Sequence, residues 1–241
     1  MIIKFKIKLL DCNSIPVTYR KNFVALLKES FNNSEDKEIK NLNSSTKQKP
    51  FTFSTKFSIK NYSDGKLELK DNIFEFYFST NDYLIAMSVY NFMLKHLNTY
   101  NIFAGCKNLL IGKFLLKGDQ ITKACAVFKT LSPILVRDLN NGDKTLDYKD
   151  ENFINSLKTS IKSMIKTFKN QDIDLDNIFI EILDMKSRVI NNFGNNKTQY
   201  SVCGNSGLIK MCTKVEYLQL LLDLGIGAKR SQGFGMVEKV L

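Results

Sequence analysis

The chain has 241 residues, enough for one large domain or two small ones with ordinary hydrophobic cores. Its 35 Lys and Arg residues outnumber 24 Asp and Glu, and the net charge of +11 favours a polyanionic partner, with RNA or DNA ahead of an anionic membrane. No apolar run approaches the roughly 20 residues needed to span a bilayer, and the alternating start does not resemble a signal peptide, so we expect a cytoplasmic protein and no membrane partner.

The first 120 residues predict the element order β-α-β-β-α-β. Apolar residues alternate with Lys4, Lys6 and Lys8, as in a strand with one apolar and one basic face. Helices are predicted at residues 17–31 and 82–97, and strands at residues 3–9, 51–59, 73–78 and 109–116. The polar stretch at residues 32–49 predicts a mobile surface loop. This order is that of a ferredoxin-like unit.

Residues 121–241 repeat this topology less clearly. Strands are predicted at residues 124–128, 178–183, 198–203, 208–212 and 235–241, and helices at residues 151–168 and 215–224. We therefore predict an α+β protein with two tandem ferredoxin-like domains, at residues 1–120 and 121–241. The long helix carries Lys158, Lys162 and Lys166 at four-residue spacing, which predicts one basic stripe, either a solvated face or an RNA contact.

The five cysteines are odd in number, widely spaced and never arranged as C-x-x-C. This pattern predicts reduced, mostly buried thiols and no structural zinc.

The most informative segment is the glycine-rich loop, residues 225–235, which joins four glycines to the adjacent cations Lys229 and Arg230. Glycine permits positive φ and close backbone approach, so several N–H groups can face an anion while the cations add charge. A dinucleotide fingerprint or a P-loop would need a strand before the glycines and a helix after them, which is the reverse of the order here. An anion-binding loop and a plain helix cap followed by a hairpin both remain open.

Residues 225–237, Gly-Ile-Gly-Ala-Lys-Arg-Ser-Gln-Gly-Phe-Gly-Met-Val, resemble the C-terminal glycine-rich loop of a known family. The family is that of the CRISPR-associated endoribonucleases that cut precursor CRISPR RNA within its repeats, in the repeat-associated mysterious protein superfamily. Residues 131–136 (Leu-Ser-Pro-Ile-Leu-Val) and 50–54 (Pro-Phe-Thr-Phe-Ser) are similar to further parts of it, and the resemblance covers the whole chain. It implies that the loop binds RNA. The candidate RNA-binding residues are Gly225, Gly227, Lys229, Arg230, Ser231, Gln232 and Gly233, with Lys158 and Lys162 on the long helix.

The resemblance also implies a reaction that uses neither a metal nor another cofactor. The 2′-hydroxyl upstream of the scissile phosphate attacks it, leaving a 2′,3′-cyclic phosphate and a 5′-hydroxyl. This step needs a base, an acid and positive charge on the phosphorane. RNA carries its own nucleophile, so a DNA repeat would not be cut. CRISPR repeat RNA is the expected partner, and proteins of a CRISPR effector complex and a second copy of the chain are further candidates.

The chain departs from the family at the catalytic position. Many members carry a catalytic histidine in the segment that corresponds to residues 32–49, where this chain has none. Its one histidine, His96, does not match that position, and we expect no catalytic role for it.

Lysines are the remaining candidates for the chemistry. Lys49 and Lys47 are predicted to stabilise the phosphorane and to protonate the leaving oxygen, with Tyr19 or Ser30 assisting in orientation. Three alternatives stay open: the lysines are only solvated loop charges, the protein binds the repeat without cutting it, or the chain carries a substitution at the catalytic position.

Overall fold

The computed structural model describes residues 1–44, 47–95, 100–103, 106–116, 118–141, 144–195 and 198–240. They divide into a first unit, residues 1–49 and 53–117, and a second unit, residues 50–52 and 118–241. The division into separate domains at residue 120 stays a prediction. Within the described part of the chain, no helix is long and apolar enough to cross a membrane.

The first unit is built on a five-stranded sheet. Its elements are β1 (Ile2–Leu9), β2 (Ser14–Pro16), α1 (Arg20–Asn32), α2 (Lys37–Asn41), β3 (Phe51–Lys56), β4 (Ile59–Ser63), β5 (Lys66–Leu69), β6 (Ile73–Thr80), α3 (Tyr83–Lys95), β7 (Tyr100–Phe103) and β8 (Cys106–Leu116). The strand order is β3-β6-β1-β8-β7, and β1 pairs antiparallel with both β6 and β8. The first four strands in this order have the ferredoxin-like arrangement that the sequence predicts.

The core of the first unit lies on one face of that sheet. Phe5 and Phe76 are fully buried, while the intervening lysines of β1 point to the opposite face. The Phe23 ring of α1 stacks on the Phe76 ring at a centroid distance of 4.6 Å. The period-2 pattern of β1 therefore predicts its buried side correctly.

A small second sheet in the first unit has no counterpart in the prediction. It has the strand order β2-β5-β4, and all residues of β4 are exposed. Asp64 and Gly65 make the β4–β5 turn with φ of 49° and 72°. β4 is exposed along its whole length and β5 has only four residues, so neither shows the extended apolar alternation by which strands are recognised.

The prediction that residues 32–49 form only a mobile loop is wrong. They contain α2, and its Ile39 side chain is buried. The Asp36 carboxylate caps α2 by accepting the N–H groups of Glu38 and Ile39 at 2.7 and 3.2 Å. A helix of five residues is too short to show a helical period in the sequence.

The second unit has the same topology around a four-stranded sheet. Its elements are β9 (Cys125–Thr130), α4 (Phe153–Lys169), a 3₁₀ turn (Leu175–Asn177), β10 (Phe179–Asn195), β11 (Thr198–Cys212), α5 (Val215–Leu224), a second 3₁₀ turn (Arg230–Gln232) and β12 (Val237–Lys239). The strand order β10-β11-β9-β12 is again ferredoxin-like. The predicted α+β class with two ferredoxin-like folds is confirmed.

The two strand pieces predicted at residues 198–203 and 208–212 are one strand, β11. Gly204 and Gly207 interrupt its apolar pattern and so conceal its continuity. Gly207 lies next to a bulge in β10, where a Cβ atom at its position would lie 2.0 Å from Asp184 O.

The prediction of five reduced thiols is also wrong. Cys12 is disulfide-bonded to Cys106 in the first unit, and Cys125 to Cys212 in the second, while Cys203 is a free thiol. The partners lie 94 and 87 residues apart along the chain, and their proximity arises from strand pairing, as between β9 and β11. The spacing of the cysteines along the sequence therefore does not predict which of them are paired.

Candidate functional site

The glycine-rich loop follows α5 in the second unit, and its glycines let backbone segments pass very close to one another. A Cβ atom on Gly235 would lie 1.9 Å from Ile226 O, and one on Gly227 would lie 2.4 Å from Leu135 O. Gly225, Gly227 and Gly235 also have positive φ. A side chain at these positions would collide with backbone as well as strain it.

Two other segments of the sequence are hydrogen-bonded to this loop. Residues 131–136 accept two of its N–H groups, that of Gly235 at Pro133 O (2.9 Å) and that of Ala228 at Leu135 O (2.8 Å). From residues 50–52, the buried Thr52 donates its hydroxyl to Phe234 O at 3.0 Å. Both segments that share the family resemblance with the loop are thus hydrogen-bonded to it inside the second unit.

These bonds limit which backbone groups of the loop can bind an anion. The N–H groups of Ile226, Ala228, Gly235 and Met236 bind Gly235 O, Leu135 O, Pro133 O and Ser132 Oγ. These four N–H groups are therefore occupied within the second unit, and binding of an anion by other groups of the loop stays a prediction.

Arg230 lies inside the second unit. Its side chain is 6% exposed, its Nη1 donates to Leu224 O at 2.9 Å, and its guanidinium stands 5.7 Å from the centroid of the Phe168 ring. Burial lowers the pKa of Arg230 to about 10, so the group is still a cation at neutral pH. This position joins the end of α5 to α4 and favours a supporting role.

The residues around Arg230 are more accessible. Lys229 and Ser231 are half-buried and Gln232 is exposed, whereas Gly225 and Gly233 are buried. Lys229 has a left-handed backbone with φ of 55°, which places it at the start of the 3₁₀ turn. Contact of these residues with RNA stays a prediction.

The predicted basic stripe lies along α4. Lys158 is half-buried and Lys166 is exposed. The Lys162 ammonium lies 3.2 Å from an Asp172 carboxylate oxygen and lowers the pKa of that carboxyl group. Part of the charge of this stripe is therefore balanced within the protein.

Lys49, in the first unit, is half-buried, and its charge lies in a cationic environment. Burial lowers its pKa, and the positive charge of Lys28 on α1 lowers it further. The segment before Lys49 folds back on α1, because Asn43 Nδ2 donates to Lys28 O at 2.9 Å. A lysine with a lowered pKa beside a second cation is suited to bind a phosphate and to give up a proton.

The other candidate catalytic residues do not share that environment. Tyr19 is 9% exposed, and its ring packs edge-on against Phe57 at 4.8 Å. Ser30 is 1% exposed and donates its hydroxyl to Leu27 O at 2.8 Å. Lys47 is exposed, and His96 lies outside the described residues.

The sequence analysis did not identify two residues that lie near these sites. The charge of Lys28 lowers the pKa of Lys49, and residues 33–44 between them fold back on α1. A local sequence pattern does not predict this proximity. Asn205 is fully buried and donates Nδ2 to Leu146 O at 2.9 Å, while its Oδ1 accepts the N–H of Tyr148 at 2.8 Å. Its backbone pairs with Ile134, so it fixes the segment on which the glycine-rich loop rests.

Comparison with protein families finds one matching model, the C-terminal part of the CRISPR-associated protein Cas6, at residues 116–239. The match includes the glycine-rich loop and nearly the whole second unit. No curated protein sequence matches the chain.

Several solved structures have the same fold. The product of a Cas6-related gene from Pyrococcus furiosus superposes with a TM-score of 0.83 at 23% identity, covering 100% of this chain and 98% of its own. An RAMP protein described as binding different RNA substrates gives 0.82 at 23% identity, with full coverage of both chains. A CRISPR-associated protein Cas6 gives 0.76 at 20% identity over 100% and 99% of the two chains.

Proposed function

The chain belongs to the Cas6 family of CRISPR-associated proteins, and from this premise we propose that it binds CRISPR repeat RNA and cleaves it without a metal ion. The observation that carries the proposal is the glycine-rich loop, which two other segments of the family pattern hold in place by hydrogen bonds inside the second unit. Hydrogen bonds hold the backbone of the loop to the rest of the second unit. In this loop Lys229 and Ser231 are half-buried, and Gln232 is exposed.

Binding is the first half of the proposal. The net charge of +11 attracts a polyanion. Lys229 supplies charge at the loop, and Ser231 and Gln232 supply hydrogen-bond donors for phosphate or sugar oxygens. Arg230 holds the loop through Leu224 O, so its contribution to RNA binding is indirect.

Cleavage is the second half, and Lys49 carries it. The 2′-hydroxyl oxygen forms a bond to the adjacent phosphorus, the bond from phosphorus to the 5′-oxygen breaks, and the 2′-hydroxyl proton passes to solvent. The Lys49 ammonium donates a proton to the departing 5′-oxygen, while Lys28 and Lys49 offset the charge of the phosphorane. A lowered pKa makes Lys49 a stronger acid than an ordinary lysine.

A second candidate function is binding without cleavage. Residues 32–49 contain no histidine, and the hydroxyl of Ser30 is already bound to Leu27 O in the core of the first unit. The histidine that many family members carry is therefore absent, and the Ser30 hydroxyl, which was predicted to assist in orientation, already donates to a backbone carbonyl. Such a protein would capture repeat RNA for other components of a CRISPR system.

The two functions are separated by incubating the protein with repeat RNA of its host in EDTA. We expect one specific cut that Lys49→Ala abolishes, while binding of the RNA is retained. Lys47→Ala is the matched control, because this exposed lysine lies in the same segment, and it should lose far less activity. Tight binding of wild-type protein with no product would establish the second function, and no binding would overturn both.

A further inference from the structure

Three side chains of the kinds that bind metal ions meet at one end of the first unit's sheet. Asp11 and Cys12 follow β1, and Cys106 begins β8, which pairs with β1. The two sulfur atoms and a carboxylate oxygen of Asp11 all lie within 4.8 Å of one another. We call these three residues the Asp11 cluster. Its sulfurs meet through strand pairing, so the lack of C-x-x-C spacing in the sequence does not bear on it.

The backbone around the Asp11 cluster is fixed by hydrogen bonds. Asp11 Oδ1 accepts the N–H of Lys107 at 2.7 Å, and Leu10 donates its N–H to Lys107 O at 2.9 Å. Further along the same loop, Asn13 O accepts the N–H of Leu69 at 2.7 Å. Carboxylates that bind metals in proteins are oriented by such hydrogen bonds. The ligand groups are therefore already positioned by the fold.

The three residues differ in exposure. Cys106 is 5% exposed, Cys12 is half-buried and Asp11 is exposed. A metal ion can thus enter from the side of Asp11 and reach sulfur atoms that are partly shielded from water. The exposed Lys107 supplies positive charge beside Cys106, which favours thiolates over thiols.

The cysteine pair of the second unit provides a contrast. Cys125 and Cys212 are also disulfide-bonded, and they are direct partners across β9 and β11. Within the described part of the chain, no carboxylate, imidazole or further thiol lies near enough to them to form a group of three ligands. The two pairs share their redox chemistry, and only the first has a third ligand.

We propose that the Asp11 cluster binds a Zn²⁺ ion once its disulfide is reduced. A dithiol supplies two electrons and two protons, the Cys12–Cys106 bond breaks, and the dithiol leaves as its own disulfide. Zn²⁺ then displaces the two thiol protons to solvent and binds both sulfurs and the carboxylate, with water as the fourth ligand. Ligand atoms around tetrahedral zinc lie about 3.5–3.8 Å apart, a separation that rotation of these side chains reaches from distances within 4.8 Å.

The ligand set determines the class of metal. Two thiolates and a carboxylate favour Zn²⁺ over Mg²⁺ and Ca²⁺, which prefer oxygen ligands alone. The inference does not rest on the proposed function, because the cluster has no part in the proposed cleavage of RNA.

The test measures binding of Co²⁺, a spectroscopic probe of zinc sites, to the full chain. The protein is reduced with dithiothreitol, desalted under nitrogen and titrated with Co²⁺ alone. We expect thiolate-to-cobalt charge-transfer absorption that saturates at one ion per chain and disappears when Zn²⁺ is added. Oxidised protein should show no such absorption, although its Cys203 thiol is free.

Variants separate the three ligands from cysteine in general. Asp11→Asn keeps both cysteines and an oxygen that can accept the Lys107 N–H, so it should fold as wild type does. We expect it to weaken Co²⁺ binding by about tenfold or more, because loss of even an outer partner of a metal site costs that much. Cys12→Ser should abolish the charge-transfer absorption. Cys125→Ser is the matched control and should bind Co²⁺ as wild type does.

Four results would overturn the site. They are no charge-transfer absorption in reduced wild type, absorption that survives in Cys12→Ser, an equal loss in Cys125→Ser, and unchanged affinity in Asp11→Asn. Circular dichroism of each variant checks that a loss does not arise from unfolding, and Asp11→Asn decides the matter if Cys12→Ser does not fold. Cleavage of repeat RNA is measured in EDTA, so this site and the proposed function fail independently.

Discussion

At the scale of single residues, adjacent cations in the loop have different surroundings. Arg230 is buried against Leu224 O and Phe168, whereas Lys229 beside it is half-buried. Arg230→Ala should lower the free energy of unfolding by about 1.5–3 kcal/mol, since a carbonyl loses a charged donor. Lys229→Ala should leave stability nearly unchanged but weaken RNA binding and flatten its salt dependence. Thermal unfolding and RNA titration check the two effects, and equal losses of stability in both variants would contradict this assignment.

The pH dependence of cleavage tests Lys49. If its ammonium is the acid, the rate is full below the pKa of Lys49 and falls as pH rises through it. Because burial and Lys28 lower that pKa, the fall should begin at lower pH than for an ordinary lysine, near 10.4. Lys28→Ala should move the fall to higher pH by removing a like charge.

Lys49→Arg should remove this fall from the accessible range, because arginine stays protonated there. Single-turnover rates across the alkaline range measure both shifts. A profile that is identical in wild type and Lys28→Ala would show that Lys49 does not set the rate.

At the scale of elements, the loop depends on glycine where backbones touch. Gly235→Ala would place a Cβ atom 1.9 Å from Ile226 O at a φ of 69°. We expect a loss of about 3 kcal/mol or more from strain and displacement together. Gly65→Ala is the control, since its φ of 72° is similar but no atom lies within 4 Å. It should cost only about 1–2 kcal/mol, and urea unfolding compares the two; equal costs would show that close approach does not matter.

The spacing of apolar residues and the positions of turn residues predicted the long helices and strands well. Helix α5 spans the predicted residues, and β1 buries the predicted face, because both have clear apolar periods. The short helix α2 and the small sheet β2-β5-β4 are too short or too exposed to show such periods clearly, and they were missed. At the site, the loop and its two supporting segments were found through the resemblance. The burial of Arg230 and the approach of Lys28 to Lys49 depend on contacts distant in sequence, which no local pattern encodes.

At the scale of the whole molecule, each unit contains one disulfide. Titration of the denatured, unreduced protein with a thiol reagent should therefore give one thiol per chain, Cys203, and five after reduction. Loops of 87 and 94 residues imply that each bond adds about 4–5 kcal/mol to stability. Five reactive thiols before reduction would contradict the two disulfides and support the reduced cysteines that the sequence predicts.

The central claim is that the whole chain cuts RNA through the RNA's own 2′-hydroxyl. The most direct measurement compares repeat RNA with the same RNA carrying a single 2′-deoxy sugar on the 5′ side of the cut, both in EDTA. We predict a product with a 2′,3′-cyclic phosphate, identified by mass, from the natural RNA alone, with the deoxy RNA bound as tightly but uncut. Cleavage of the deoxy RNA at the same position would contradict the account.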